Sequence, residues 1–221
     1  MDLKIQTQNV HAQTIEKLRE AILAGVFKPG EKLVEADLCE RLGISRSSVR
    51  EALRHLAAEK LVNIVPNRGP FIAHISLEEA QQIYHVRAML EGEACYLFAA
   101  HVDDAALAEM RAALADFERA VKKGDAMARL ASTARFYQVI LAGCGNKVIA
   151  EMLAGLIARV NFLRARSMSQ PGRSRHSLAE LQQIYGALEA RDARSARAAA
   201  VNHVLKASEA ARDAFEESQA A

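Results

Sequence analysis

"LGISRSSVREALRHL", residues 42–56, carries two patterns at once. Val49, Ala52, Leu53 and Leu56 recur at the three- and four-residue spacing of a helix with one apolar side. Arg46, Arg50 and Arg54 recur at intervals of four, so each is turned only about 40° from the last around the helix axis. They form a stripe of cations beside the apolar side, with no acid within it. On an isolated helix such a stripe is simply a solvated face. Its neighbours give it another meaning. "VEADLCERLG" reads as a short helix with Leu38 and Leu42 inward and Gly43 as its terminator. Ile44-Ser45 is then the turn. Ser45 can cap the next helix, and Ser48-x-x-Glu51 is an alternative capping box. Two helices joined by a tight glycine turn make a helix-turn-helix.

Working outward, Ile15, Leu18, Ile22 and Val26 recur at helical spacing, and Gly25 with "KPG" stops that helix. The arginine-bearing helix is expected to run to about Lys60. Two β-rich runs, "LVNIV" and "PFIAHI", flank "PNRG" and read as a hairpin. The order helix, helix, turn, helix, hairpin is a winged helix-turn-helix over residues 9–75. In that setting the second helix meets base edges in the major groove with its N-terminal part. Arginine forks match guanine O6/N7 and phosphate. Ser47 and Ser48 permit close approach, and the helix N-terminus attracts phosphate. Arg46 and Arg50 are the expected central contacts, with Arg54 more peripheral. At the hairpin tip, Arg68 beside Gly69 is either a wing contact to the DNA backbone or minor groove, or an ordinary hydrophilic turn.

From Ser76 onward the texture changes to long, Ala-rich helices with one proline, Pro171. Capping residues and breakers cut residues 76–218 into six amphipathic segments with short connections, which predicts an antiparallel helical bundle. The fold class is therefore mainly α, a winged helix-turn-helix followed by an all-helical bundle. Residues 1–75 hold 11 Lys and Arg against 9 Asp and Glu, whereas the remainder holds 18 of each, so the whole net excess of +2 sits in the first third. A local patch matters more to a polyanion than the total does. Cys39, Cys95 and Cys144 are scattered without a C-x-x-C, which excludes a disulfide framework or zinc knuckle. No apolar run approaches the ~18 residues of a membrane span, and "MDLKIQTQNV" is no leader, so a cytoplasmic protein without membrane contact is expected. No phosphate loop, nucleophile elbow or H-E-x-x-H occurs, so no enzyme is expected.

The segment "KPGEKLVEADLCERLGISRSSVREALRHLAAEKLVNIVPNRGPFI" resembles the winged helix of GntR-family transcription regulators. Gly43, Ser45, Arg46, Val49, Arg50, Glu51, Ala52, Leu53 and Leu56 carry the motif. The helical remainder is similar to the FCD effector domain of the FadR subfamily. The resemblance implies a homodimer on a pseudo-palindromic operator in double-stranded DNA, repression by occlusion, and a small-molecule effector, often an organic acid, in the helical domain. An architectural DNA binder without effector and a metal-dependent FCD regulator are the alternatives.

Metal-binding FCD domains carry D-x-x-F-H on one helix. Here "TARFY" stands in its place, with Thr133 for the Asp and Tyr137 for the His. Leu181 stands where a second ligand His is expected, and only His203 remains. No metal or other cofactor is therefore expected, and a cavity without it is expected to be larger and more apolar. The resemblance makes Arg87, Thr133, Tyr137, Asn161 and His203 the candidate effector contacts, with Arg135, Arg159, Arg164 and Tyr185 as candidates by helix only. Two readings of Arg87 stand side by side. It binds a ligand carboxylate, or it pairs with Glu91 one turn along. His203 is likewise a pocket residue or a satisfied core histidine.

Overall fold

The computed structural model describes residues 8–220, which divide after Ile75 into two compact units. The first unit contains α1 (Gln8–Leu23), α2 (Glu35–Leu42), α3 (Arg46–Ala58), β1 (Val62–Val65) and β2 (Gly69–Ile72). Each boundary has a local cause. Gly43 adopts φ 66° and ends α2, its amide donating to the Cys39 carbonyl. Ser45 caps α3: its Oγ accepts from the Ser48 amide at 3.3 Å, so this cap forms rather than one centred on Ser48. Val49, Ala52, Leu53 and Leu56 of α3 are buried, as their spacing requires. They meet Leu18 and Ile22 of α1, Leu38 of α2 and the strand residues Val62 and Ile72 in one core. Arg19 of α1 donates to both carboxylate oxygens of Glu59 at the end of α3, at 3.1 and 2.7 Å.

The wing is an antiparallel pair with Val62 opposite Ile72 and Val65 opposite Gly69. Pro66 and Asn67 form its turn: Asn67 has φ 60° and the Arg68 amide donates to the Val65 carbonyl at 3.1 Å. The free edge of β2 is covered by residues 30–33, because Leu33 donates to Pro70 and Ile72 to Glu31. Two expectations change here. Val26 lies beyond the end of α1 and is exposed, since Gly25 at φ 73° turns the chain before it. α3 stops at Ala58 rather than Lys60, where Lys60 takes φ 63° to begin the turn into β1.

The second unit contains α4 (Leu77–Phe98), α5 (Asp104–Lys123), α6 (Ala126–Gly143), α7 (Lys147–Met168), α8 (Arg173–Glu189) and α9 (Ala193–Ala220). Side-chain oxygens of Ser76, Asp103, Asp125 and Asn146 cap the first four of these. α9 is the common partner, packing against α4, α7 and α8, while α5 packs on α6. Small residues on α9 make this possible: Ala196, Ala200, Ala207 and Ala211 are all buried. Gly92 of α4 allows the same approach from the other side, because a Cβ there would lie 2.8 Å from Cγ2 of Val201. No helix among the described residues is long and apolar enough to cross a membrane.

Glycines separate packing from propensity in this bundle. A Cβ at Gly143 would lie 2.3 Å from Cε2 of the buried Phe98 ring. Gly143→Ala should therefore cost about 1–3 kcal/mol through overpacking. Gly186, inside α8, has open space where its Cβ would be, so Gly186→Ala should stabilise by about 0.5–1 kcal/mol. Urea unfolding of the two variants checks both signs.

Candidate functional site

The first unit presents one basic face. Arg46, Ser47, Arg50 and Arg54 of α3 are exposed, with Ser48 half-buried beside them. Among the described residues Arg46 and Arg54 have no acid within ion-pair distance, so their charges face solvent unneutralised. Ser45, Ser47 and Ser48 form a hydroxyl cluster at the helix start, with Oγ separations of 2.8 and 3.0 Å from Ser45. Arg68, at the wing tip, stands 5.5 Å over the Phe71 ring, which fixes its direction. Gly69 takes φ 93°, a backbone shape that L side chains rarely adopt.

Arg50 differs from its neighbours. Its Nε donates to Oε2 of Glu35 at 2.8 Å, which ties the centre of the stripe to the first residue of α2. This contact was not visible in the sequence, because Glu35 lies fifteen residues upstream. It occupies Nε and leaves the two terminal nitrogens to make a fork. A concave surface of about 290 Å³ opens at the same place, lined by Glu35, Arg50, Arg54, Ile64 and Gly69 among others. Helix α3 and the wing thus converge on one surface.

The second unit encloses a cluster of charges. Arg87 is wholly buried on α4 and donates from Nε and Nη2 to Glu91 at 2.9 and 3.4 Å. Of the two sequence-based readings of Arg87, the pairing with Glu91 is thus present. Arg164 of α7 shares the same carboxylate, 3.5 Å from its Oε1, and lies 3.4 Å from Oδ1 of Asn161. Burial alone would push the Glu91 carboxyl up, but the two guanidiniums hold it below the ordinary range. Arg164 is pulled below the usual arginine value, by burial first and by Arg87 second.

His203 of α9 approaches Oε2 of Glu180 at 2.7 Å, and Glu180 also takes a two-pronged contact from Arg173 at 2.9 and 2.7 Å. Burial lowers the His203 pKa in spite of that carboxylate, and a hydrogen bond to Glu180 requires the proton on Nδ1, since a carboxylate can only accept. The Tyr137 ring stacks on His203 at 6.3 Å between centroids, and the Arg164 guanidinium stands 5.0 Å from the centroid of the same Tyr137 ring. Burial pushes the Tyr137 phenol well up, so it is protonated.

Arg87, Tyr137, Asn161 and His203 therefore fall in one neighbourhood. Thr133 is fully buried on the same helix as Tyr137, with its hydroxyl donating to the Arg129 carbonyl at 2.8 Å. Arg135 and Tyr185 point elsewhere, to Asp116 and to Arg111 with Glu189, and Arg159 reaches Glu79. Sequence reasoning placed Arg164 among the candidates only by its helix and passed over Glu180 and Arg173. His176 lies outside the cluster, on a groove of about 400 Å³ between α8 and α9 that Arg173 and Glu180 also line.

The donor set does not fit a divalent metal. Leu181 is apolar core, the Thr133 hydroxyl is spent on its own helix, and Tyr137 is neutral. The carboxylate nearest His203, that of Glu180, is taken up by a two-pronged contact from Arg173. No three His, Cys, Asp or Glu side chains converge as a metal site requires, among the described residues. Nor is the centre apolar, as a cavity without its metal was expected to be. Charged side chains fill it.

Comparison with known proteins bears on both units. Residues 11–72 match the profile described as bacterial regulatory proteins, gntR family, and residues 82–206 match the FCD domain. The HTH-type transcriptional regulator YdhC of Bacillus subtilis is 26% identical over 88% of this chain and 86% of its own. The HTH-type transcriptional repressor GlaR of Escherichia coli is 31% identical over 67% of this chain and 71% of its own. Among solved structures, E. coli McbR/YncC superposes with a TM-score of 0.78 at 22% identity, covering 95% of this chain and 98% of that one.

The shared carboxylate makes an asymmetric stability prediction. Glu91→Gln leaves two buried guanidiniums without an anion, a loss on the order of 3–5 kcal/mol. Arg87→Met leaves Glu91 with Arg164 and should cost less. Denaturant midpoints of the two variants give the order, and a larger loss for Arg87→Met would refute this account of the cluster.

Proposed function

This chain belongs to the gntR family of bacterial regulatory proteins, carries an FCD domain and is an HTH-type transcriptional regulator; from that premise we propose that it is a repressor that binds a pseudo-palindromic operator as a homodimer and is controlled by a small organic acid in its helical unit. The observation that carries this reading is the exposed face of α3. Arg46 and Arg54 have no acid partner among the described residues, and Arg50 is oriented by Glu35. Arg46, Ser47, Ser48 and Arg50 meet the major groove, Arg54 grips a phosphate, and Arg68 with Gly69 lies along the backbone or minor groove. Two such units in a dimer read half-sites about one helical turn apart.

The effector contacts are Arg87, Tyr137, His203, Thr133 and Asn161, and no metal is required. An effector alters operator affinity only through its different affinity for the DNA-binding and non-binding arrangements, a coupling of ~1–3 kcal/mol in typical regulators. Relatives that are repressors by name support the sign. The regulator reading also differs measurably from that of an architectural binder, because a regulator prefers its operator over random DNA by ~10³ or more.

Selection of a binding site from random duplexes, followed by titration, tests the reading. Arg50→Ala should lower operator affinity by about 1–3 kcal/mol and leave random DNA nearly unchanged. Equal losses on both would assign Arg50 to phosphate contact. Glu35→Gln should act oppositely on the two DNAs. It frees Arg50 and removes one negative charge from the face, so random-DNA affinity rises while the operator preference shrinks.

A further inference from the structure

The wing is wider than its hairpin. Residues 30–33 lie along the edge of β2: the Gly30 amide donates to the Ile72 carbonyl, that of Ile72 to Glu31 and that of Leu33 to Pro70, at 3.1, 2.8 and 2.9 Å. Lys32 thereby stands opposite Phe71, and Phe71 stands opposite Asn63 of β1. Residues directly opposite each other in an antiparallel pair share a face, and the faces alternate along each segment. Leu33 is buried and Lys32 is exposed, as that alternation requires. Lys32, Phe71 and Asn63 therefore form a row across the outer face of the wing. Gly69 lies on the same face, two residues closer to the turn.

The stem of Lys32 leaves that row in one direction. Its Cε lies 4.0 Å from where a Cβ on Gly69 would be, although the residue opposite Lys32 is Phe71, about 7 Å further from the turn. The ammonium is thus carried to the wing tip, where Arg68 stands over the Phe71 ring. Two cations from separate segments meet at one aromatic residue. Neither has an acid within ion-pair distance among the described residues. Glu31, the acid next to Lys32 in the chain, is engaged elsewhere: its Oε2 accepts from the Lys28 amide at 2.8 Å. Like charges gathered on one surface repel each other, and no internal anion offsets that cost here. An external polyanion does.

We infer that Lys32, from the segment that precedes α2, holds a backbone phosphate of duplex DNA at the wing tip beside Arg68, an assignment that rests on the DNA-binding reading given above. The contact belongs neither to α3 nor to the hairpin, and no helical period or motif marks it in the sequence. It appears only when residues 30–33 are laid along β2. A lysine ammonium is a point charge, and the phosphate is the same at every base step, so the contact carries no sequence information. It adds affinity and holds the wing in register on the duplex, as phosphate contacts do.

The full chain would be titrated with a duplex selected from random sequences and with an unselected duplex, at salt concentrations from about 200 down to about 50 mM. Each phosphate neutralised contributes about 0.9 to the slope of log affinity against log salt. Lys32→Gln should reduce that slope by about 0.9 on both duplexes, so the fourfold dilution of salt gains the variant about 3.5-fold less affinity than the parent. Both duplexes should weaken by the same factor. The melting temperature should not move, because the ammonium has no internal ion-pair partner. Lys32→Arg should restore the slope. Lys17→Gln removes the same charge from α1, where Lys17 pairs with Glu20 at 3.0 Å, and should leave the slope as it is. An unchanged slope in Lys32→Gln overturns the contact. So does a loss confined to the selected duplex, which would make Lys32 a reader of bases, or an equal change in Lys17→Gln, which would make the effect one of overall charge. A parent chain that binds neither duplex overturns the DNA-binding reading, and this contact with it.

Discussion

Two guanidiniums share one buried carboxylate, and the helical unit is organised around that constraint. Glu91 must stay ionised to hold Arg87 and Arg164, and the two arginines keep its carboxyl below the ordinary range although burial pushes the other way. The partners come from α4 and α7, and a second ionic group, Arg173 with Glu180 and His203, joins α8 to α9. Four helices are thus fixed by directional contacts at the point where apolar packing alone would leave them free to slide. Packing then sets the spacing. The alanine face of α9 and the close approach at Gly92 set the distance between α4 and α9.

The DNA-binding unit applies the opposite rule to the same residue type. The arginines on the outer side of α3 stay in solvent, where a cation costs little to maintain and remains available to a polyanion. Of the three arginines of the α3 stripe, only Arg50 is tethered among the described residues, by one carboxylate oxygen and through Nε alone. That contact limits the rotamers of a long side chain without consuming its two terminal nitrogens. Apolar residues on the reverse side of α3 dock the helix so that the cations all face outward.

Much of this was legible in the sequence. The helix-turn-helix, the wing and six further helices follow from local signals: glycines that end helices, side-chain caps at Ser45, Ser76 and Asp103, and apolar periodicity. The Arg87–Glu91 pair was open to reading as well, being four residues apart on one helix. What stayed hidden depends on partners brought from afar. Glu35 lies fifteen residues from Arg50, and Arg164 is 73 positions beyond Glu91, so neither pairing leaves a spacing to find. Val26 misled for a related reason: its position continued the helical period, but the glycine before it broke the helix first. The loss of metal-ligand residue types at 133, 137 and 181 was visible, but the charge that fills the space was not.

α4 begins at the seam. Its cap, Ser76, is the first residue after the winged unit, and Arg87 and Glu91 stand about three and four turns further along the same unbroken helix. From Ser76 to Arg87 the axis runs about 16 Å. A helix of this kind behaves as a stiff rod over that distance, with no proline or loop to absorb movement. Mechanically, α4 is one lever of the helical unit: its N-terminal three turns and the buried Arg87–Glu91 pair belong to the same stiff element, so neither can shift without the other.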